Sequence, residues 1–194
     1  MKAIIEFLIR KIKNDPNYAI NSKYALIDYM IIINTRLFQI IRGYLLKIRI
    51  NAEGVVFCGK GVDIKHKHKF FSKTGLVLED NVYINSLSIM GIRLGRNVSI
   101  ARDTVIVCTG VVSNIGQGLR VGNFSAIGAK SFIGCQGGVC IGDNVIIGPG
   151  LKIFSENHIY SNKDKLIRMQ GEHRIGVKIE ENCWIGANVT ILDG

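Results

Sequence analysis

From Val121 onward an aliphatic residue, usually followed by Gly, returns every sixth position. The chain reads VGNFSA, IGAKSF and IGCQGG, then after a two-residue slip IGDNVI, IGPGLK and IFSENH. The beat lapses after Phe154 and resumes at Ile179 as IEENCW, IGANVT and ILDG. Self-similarity at this period restricts the chain to a parallel β-helix. Three hexads close one triangular coil, and every aliphatic lead residue points inward. Successive coils stack those residues in columns, each touching mainly its neighbours above and below. Gly at the second hexad position fits a corner where a side chain would clash or where positive φ is required. Asn81, Asn97, Asn144 and Asn188 recur near such corners, and Asn tolerates left-handed backbone better than most residues. The same beat runs less regularly through LEDNVY from Leu78, LGRNVS from Leu94 and IARDTV from Ile100. Strand-like VVSN and GQGL, between Val111 and Leu119, break the count as an insertion at a corner would.

The solenoid is expected to occupy residues 51–194, interrupted by a loop over 154–178, with a helical extension over residues 1–50. Charge separates the two parts. The net charge is +10, yet residues 1–50 hold nine Lys or Arg against three acids, and the last 119 residues are almost balanced. Ile4, Ile5, Leu8, Ile9 and Ile12 share one face of a helix over Met1 to Lys13, and Asp15-Pro16 should end it. A second helix is expected from about Lys23 to Ile50, with Leu26, Met30, Ile33, Leu37, Ile41 and Ile48 interleaved with Arg36, Arg42, Lys47 and Arg49. Its longest uncharged run, Tyr29 to Thr35, is far short of the roughly 20 residues a membrane span requires. This basic amphipathic leader has two readings. It covers the open first coil of the solenoid, or it attaches peripherally to an anionic inner-membrane surface. Nucleic acid is not an expected partner, because interleaved aromatics in a recognisable binding fold are missing.

Five Cys, at 58, 108, 135, 140 and 183, are odd in number and show no CxxC spacing. They read as small buried hydrophobes in a reducing compartment, neither a disulfide framework nor a zinc site. Residues Met1 to Asn14 alternate apolar and basic residues with no small-residue cleavage site, so no signal peptide is read and a cytoplasmic location is expected.

The run IGDNVIIGPGLKIFSENH (Ile141 to His158) and the run WIGANVTILDG (Trp184 to Gly194) resemble the bacterial hexapeptide-repeat acyltransferases. The likeness is greatest to the maltose-acetyltransferase-like sugar and polysaccharide O-acetyltransferases, and it extends from about Gly61 to the end. The resemblance implies an all-β, left-handed parallel β-helix, against the usual right-handed crossover preference. It also implies acetyl-CoA as acyl donor, a saccharide acceptor in capsule, lipopolysaccharide or exopolysaccharide biosynthesis, and a homotrimer with sites between subunits.

Transfer of an acyl group to a hydroxyl needs a base for the alcohol proton, and His suits neutral pH. His66 and His68 lie in a KHKHK run that reads as a solvated basic turn, and His173 lies in the polar RMQGEHR stretch. His158 differs, because it leaves the solenoid where the beat stops, at the place the family gives its catalytic His. Glu156 and Asn157 are candidates to hold its tautomer. By resemblance, Trp184 walls the cleft shared by acceptor and coenzyme, and the backbone at Gly186 and Ala187 meets the pantetheine arm. Where the family places an acceptor-facing Asn, this chain has Gly128-Ala129-Lys130-Ser131, so Lys130 and Ser131 are the candidate acceptor contacts. The beat stops at Asp193-Gly194 in mid-coil where the family continues, and the β-helix is expected to be truncated there. No metal site is expected: a γ-type carbonic anhydrase needs three His on adjoining coils. Residues 1–60 hold no Gly-rich loop for a nucleotidyltransferase. A catalytically silent scaffold is the main alternative.

Overall fold

The computed structural model describes residues 2–13, 16–20 and 23–194. Its body is a left-handed parallel β-helix of three six-stranded parallel sheets. The first face contains the strands Asn51–Ala52, Phe70–Ser72, Ile92–Leu94, Leu119–Val121, Val139–Ile141 and Val177–Ile179. The second contains Val56–Cys58, Leu76–Leu78, Ser99–Ile100, Ala126–Ile127, Ile146–Ile147 and Trp184–Ile185. The third contains Asp63–Lys65, Tyr83–Asn85, Val105–Val107, Phe132–Gly134, Lys152–Phe154 and Thr190–Ile191. One strand from each face makes a coil, giving six coils in chain order.

The lead residues of the hexads point inward as expected. Val121, Ile127, Ile133, Ile141, Ile147 and Ile153 are all buried in one continuous column-like core. The two Gly and Asn signals separate into different physical jobs. Asn97, Asn144 and Asn182 hold left-handed φ at the corner between first and second faces, and Asn81 and Asn188 do so at the corner between second and third. Asp103, Phe124 and Lys130 adopt the same conformation without being Asn or Gly, so the corner geometry overrides local preference there. The Gly that follows the lead residue acts by close approach instead. A Cβ on Gly142 would sit 2.5 Å from the Glu181 backbone nitrogen, and one on Gly128 would sit 2.4 Å from the Gly148 carbonyl carbon.

Side chains stitch adjacent corners. Asp143 accepts from the Asn123 backbone N–H at 2.7 Å and from its side-chain amide at 3.0 Å, while Asn123 accepts in turn from the Arg96 N–H at 2.9 Å. The Asn123 donors hold the Asp143 carboxyl below its usual pKa. The cysteines are free thiols: Cys58, Cys108 and Cys135 are buried, Cys140 and Cys183 partly so. Burial, followed by contact with Cys108, pushes the Cys135 thiol well up.

Every irregularity in coil length falls at one corner. Coil four to coil five advances equally on each face, with Leu119 opposite Val139, Ala126 opposite Ile146 and Phe132 opposite Lys152. The next step is longer but again equal on all three faces, with Val139 opposite Val177, Ile146 opposite Trp184 and Lys152 opposite Thr190. Surplus residues are therefore confined to the third corner, where the chain passes from third face to first. The VVSN insertion lies there, closing a tight turn through a Val111–Asn114 bridge and not adding a solenoid strand. The long interruption lies there too, over 155–176, directly between the strands Lys152–Phe154 and Val177–Ile179.

Two helices precede the solenoid, α1 (Lys2–Lys13) and α2 (Leu26–Lys47). Met1, the side chains of Ile4, Leu8 and Ile12, and Asp15 of the expected stop lie outside the described residues. Asp28 in the first turn of α2 accepts from the Ala25 N–H at 2.8 Å. α2 is shorter than the pattern suggested and covers the first coil, as the capping reading expected. Gly43 packs so tightly that a Cβ there would overlap the Val56 carbonyl oxygen. Arg42 and Lys47 donate to the carbonyls of Cys58 and Gly54, both at 2.9 Å. Arg36 stacks over the Phe57 ring. Among the described residues no helix is long and apolar enough to cross a membrane.

The close coil spacing yields a stability prediction. Gly142→Ala sets a Cβ against backbone, which cannot rotate away, and should destabilise by about 1–3 kcal/mol. The readout is the urea midpoint at unchanged m. An unshifted midpoint would mean that the coils can part without loss. Acid should also weaken the corner stitches: because the Asp143 pKa is depressed on folding, its contribution is present above the unfolded carboxylate pKa and lost as pH falls through the lower folded one. Asp143→Asn should therefore flatten the acid limb of a stability–pH curve, and an identical limb would remove Asp143 as a contributor.

Candidate active site

The interruption is a compact excursion whose two ends are fixed on the solenoid. Ser155 starts it from a buried position, donating its hydroxyl to the Gly134 carbonyl at 2.8 Å and accepting from the Gly137 N–H at 3.0 Å. Gly137 can lie over this turn because it lacks a Cβ, which would overlap the Ser155 carbonyl oxygen. Asp193 closes the other end. Its side chain is fully buried and accepts from the N–H groups of Ile175 at 3.0 Å and Gly176 at 2.7 Å. Between the ends, Asn157–His158 pairs antiparallel with Glu172–His173, and the Ile159 N–H donates to the Gly171 carbonyl at 3.0 Å. At the distal end Gln170 bridges Asn162 and Lys165 through three hydrogen bonds.

His158 is thus an exposed imidazole on a hairpin and not on a loose loop. Its cross-strand neighbour is Glu172. Glu156 has a different partner from the one expected. Arg174 donates to one oxygen of the Glu156 carboxylate, Oε2, through Nε at 3.0 Å and Nη2 at 2.9 Å, a charge-assisted pair in which both side chains are largely covered. Among the described residues neither Glu156 nor Asn157 bonds to the His158 ring. Asn157 lies opposite His173 instead. The cause is the strong match between a planar guanidinium and a carboxylate at close range, which leaves Glu156 to anchor the hairpin.

Arg174 also joins the loop to the neighbouring insertion. It donates to the Asn114 side-chain oxygen at 2.9 Å and to the Ile115 carbonyl at 3.2 Å, and Asn114 donates in turn to Glu172 at 2.9 Å. The VVSN turn and the long excursion therefore form one polar network at the third corner. Sequence reasoning missed Arg174, Glu172 and Asn114. The usable signal was that both irregular segments interrupt the same phase of the hexad count.

The remaining candidates lie apart from His158. Ser131 is a correction: it is 2% exposed and donates to the Gly128 carbonyl at 2.7 Å, so it braces a corner from inside and cannot meet an acceptor. The same Gly128 carbonyl also accepts from the buried Thr104 hydroxyl at 3.1 Å, so two inward hydroxyls close this corner. Lys130 sits exposed at the corner between second and third faces, at the opposite edge of the third face from His158. Trp184 lies on the second face, 81% exposed and paired in register with Ile146, which is also exposed. Gly186 and Ala187 follow at that face's end, with the Ala187 nitrogen packed 2.8 Å from where a Gly148 Cβ would stand. One chain therefore presents His158 and Trp184 on different sides of the solenoid. His66 and His68 pair edge to face at the third corner of the first coil, and His173 Nδ1 lies 3.5 Å from Asp193. Among the described residues no cluster of three His, Cys, Asp or Glu is placed to hold a metal ion.

Arg174→Ala should release the hairpin while leaving the solenoid folded. Loss of a charged hydrogen-bonded pair is worth about 1.5–3 kcal/mol, so amide exchange across 156–174 should accelerate by at least about tenfold. Global thermal unfolding should stay close to that of the parent. Unchanged exchange in the loop would show that its two ends alone hold it.

Residues 118–155 and 174–194 match the family model described as the hexapeptide repeat of succinyl-transferase. The match covers the last three coils and omits most of the excursion. It establishes the hexapeptide repeat, which is typical of acyltransferases.

Proposed function

We propose that this protein is an acyltransferase that moves an acetyl group from acetyl-CoA to a saccharide hydroxyl, in capsule, lipopolysaccharide or exopolysaccharide biosynthesis. The observation that carries this reading is His158: an exposed imidazole on a clamped hairpin, beside a solenoid whose repeat is typical of acyltransferases. In the proposed step, His158 accepts the hydroxyl proton as the oxygen attacks the thioester carbonyl. A C–O bond forms, the tetrahedral adduct collapses, the C–S bond breaks, and the imidazolium returns the proton to the departing thiolate. No acyl-enzyme is involved. Glu172 lies directly across the hairpin from His158 in register.

The acting species in this reading is a homotrimer. Trp184, Ile146 and the Gly186-Ala187 backbone on the second face of one copy would meet His158 of the next, completing a site that a single chain holds in two parts. Leu166, Ile167 and Met169, exposed at the tip of the excursion, supply apolar surface for that contact. Lys130 remains the candidate acceptor contact on the open corner.

His158→Ala should lower kcat by at least about 10²-fold, with acetyl-CoA affinity by calorimetry and the circular dichroism spectrum both retained. Activity surviving in that variant would remove His158 from the chemistry. Succinyl-CoA run in parallel decides the donor. Absence of heat with either donor would favour the silent-scaffold reading, which the separation of His158 from Trp184 within one chain supports.

A further inference from the structure

The surface of α2 that faces away from the solenoid has no role in the reading above. At about 100° per residue, Gln39, Gly43 and Leu46 cluster on one side, and these are the positions that are buried or packed against the core. On the opposite side Leu26, Met30, Leu37, Ile41 and Tyr44 align, continued by Ile48 just past the helix end, and every one is exposed. The helix thus packs only a narrow strip, Gln39, Gly43 and Leu46, on the protein and turns its wide apolar strip outward. This inverts the usual arrangement, in which the apolar stripe faces the core.

The charges bound that outward strip. By the same angular count, Arg42 lies along one margin and Arg36 with Lys47 along the other, and all three are fixed by contacts to the first coil. The one acid of α2, Asp28, is on the docked side and is engaged with the Ala25 N–H. An apolar strip with cations on both margins has the chemistry of a helix lying in a lipid interface, acyl chains beneath it and anionic headgroups at its edges. A second copy of the chain fits less well, since it would bring the same cations against these. The length agrees as well: α2 has 22 residues but is too polar along its axis to span a bilayer.

We infer that α2 is an interfacial helix that seats the solenoid on an anionic bilayer surface, with its outward apolar strip immersed and its margins, which carry Arg36, Arg42 and Lys47 against the first coil, level with the headgroups. The inference stands independently of the transferase reading, and it requires neither donor nor acceptor.

Flotation with vesicles tests it. The full chain should bind phosphatidylcholine vesicles that contain about 30% phosphatidylglycerol, an anionic surface. Three surface cations give a preference over pure phosphatidylcholine on the order of a hundredfold, and raised salt should reduce it. Leu37→Asp with Ile41→Asp, both at exposed positions, should abolish binding without shifting thermal unfolding. Lack of binding to either vesicle would overturn the inference, and so would equal binding to both. If the double variant lowers the oligomeric mass in lipid-free solution, α2 is a contact between copies and the bilayer inference fails.

Discussion

Everything in this molecule depends on how closely its coils stack. The aliphatic columns at Val121, Ile127 and Ile133, continued by Ile141, Ile147 and Ile153, are buried only because the backbone of one coil rests on the next. That contact requires Gly at Gly128, Gly142 and Gly148, where any side chain would strike the neighbouring coil. Three faces and two corners are then fixed in length, since a residue added to any of them would displace every inward side chain above it. The third corner alone is free to vary. It holds the four-residue turn at 66–69 and the excursion at 155–176 alike.

Chemical capacity collects at that corner for the same reason. A regular coil points half of its residues into the core and can spare none for convergent polar groups. At the third corner two insertions lie side by side, and Arg174 draws Glu156, Asn114 and the Ile115 carbonyl into one network. The network leaves His158 exposed at a defined place. Rigid support beneath an exposed titratable group is the arrangement that positioning of a reactive side chain requires.

The fold was legible because its signal repeats. Each hexad states the same inward residue, and errors in one are corrected by the next. The site was legible only in part, because it occurs once. His158 stood out by its place at the end of the beat. Glu156 was assigned to it by proximity in sequence, but Arg174, 18 residues on, reaches the carboxylate first. Ser131 looked available beside an exposed corner, yet the alternation of the strand turns its hydroxyl inward to Gly128. Phe124 and Lys130 show the converse limit: neither residue type announces left-handed backbone, and the stacking of corners imposes it.

The Gly43 contact bears on a hazard common to all parallel sheets. The strand Val56–Cys58 is the outermost of the second face, and such a strand offers its carbonyls to any extended peptide that arrives. Here α2 lies over the Val56 carbonyl, Arg42 occupies that of Cys58 and Lys47 occupies that of Gly54. The acceptors along this edge are already engaged by the chain's own helix. Solenoids of this kind are thereby denied one route to end-on polymerisation, and growth into a fibre would first require the helix to be peeled away.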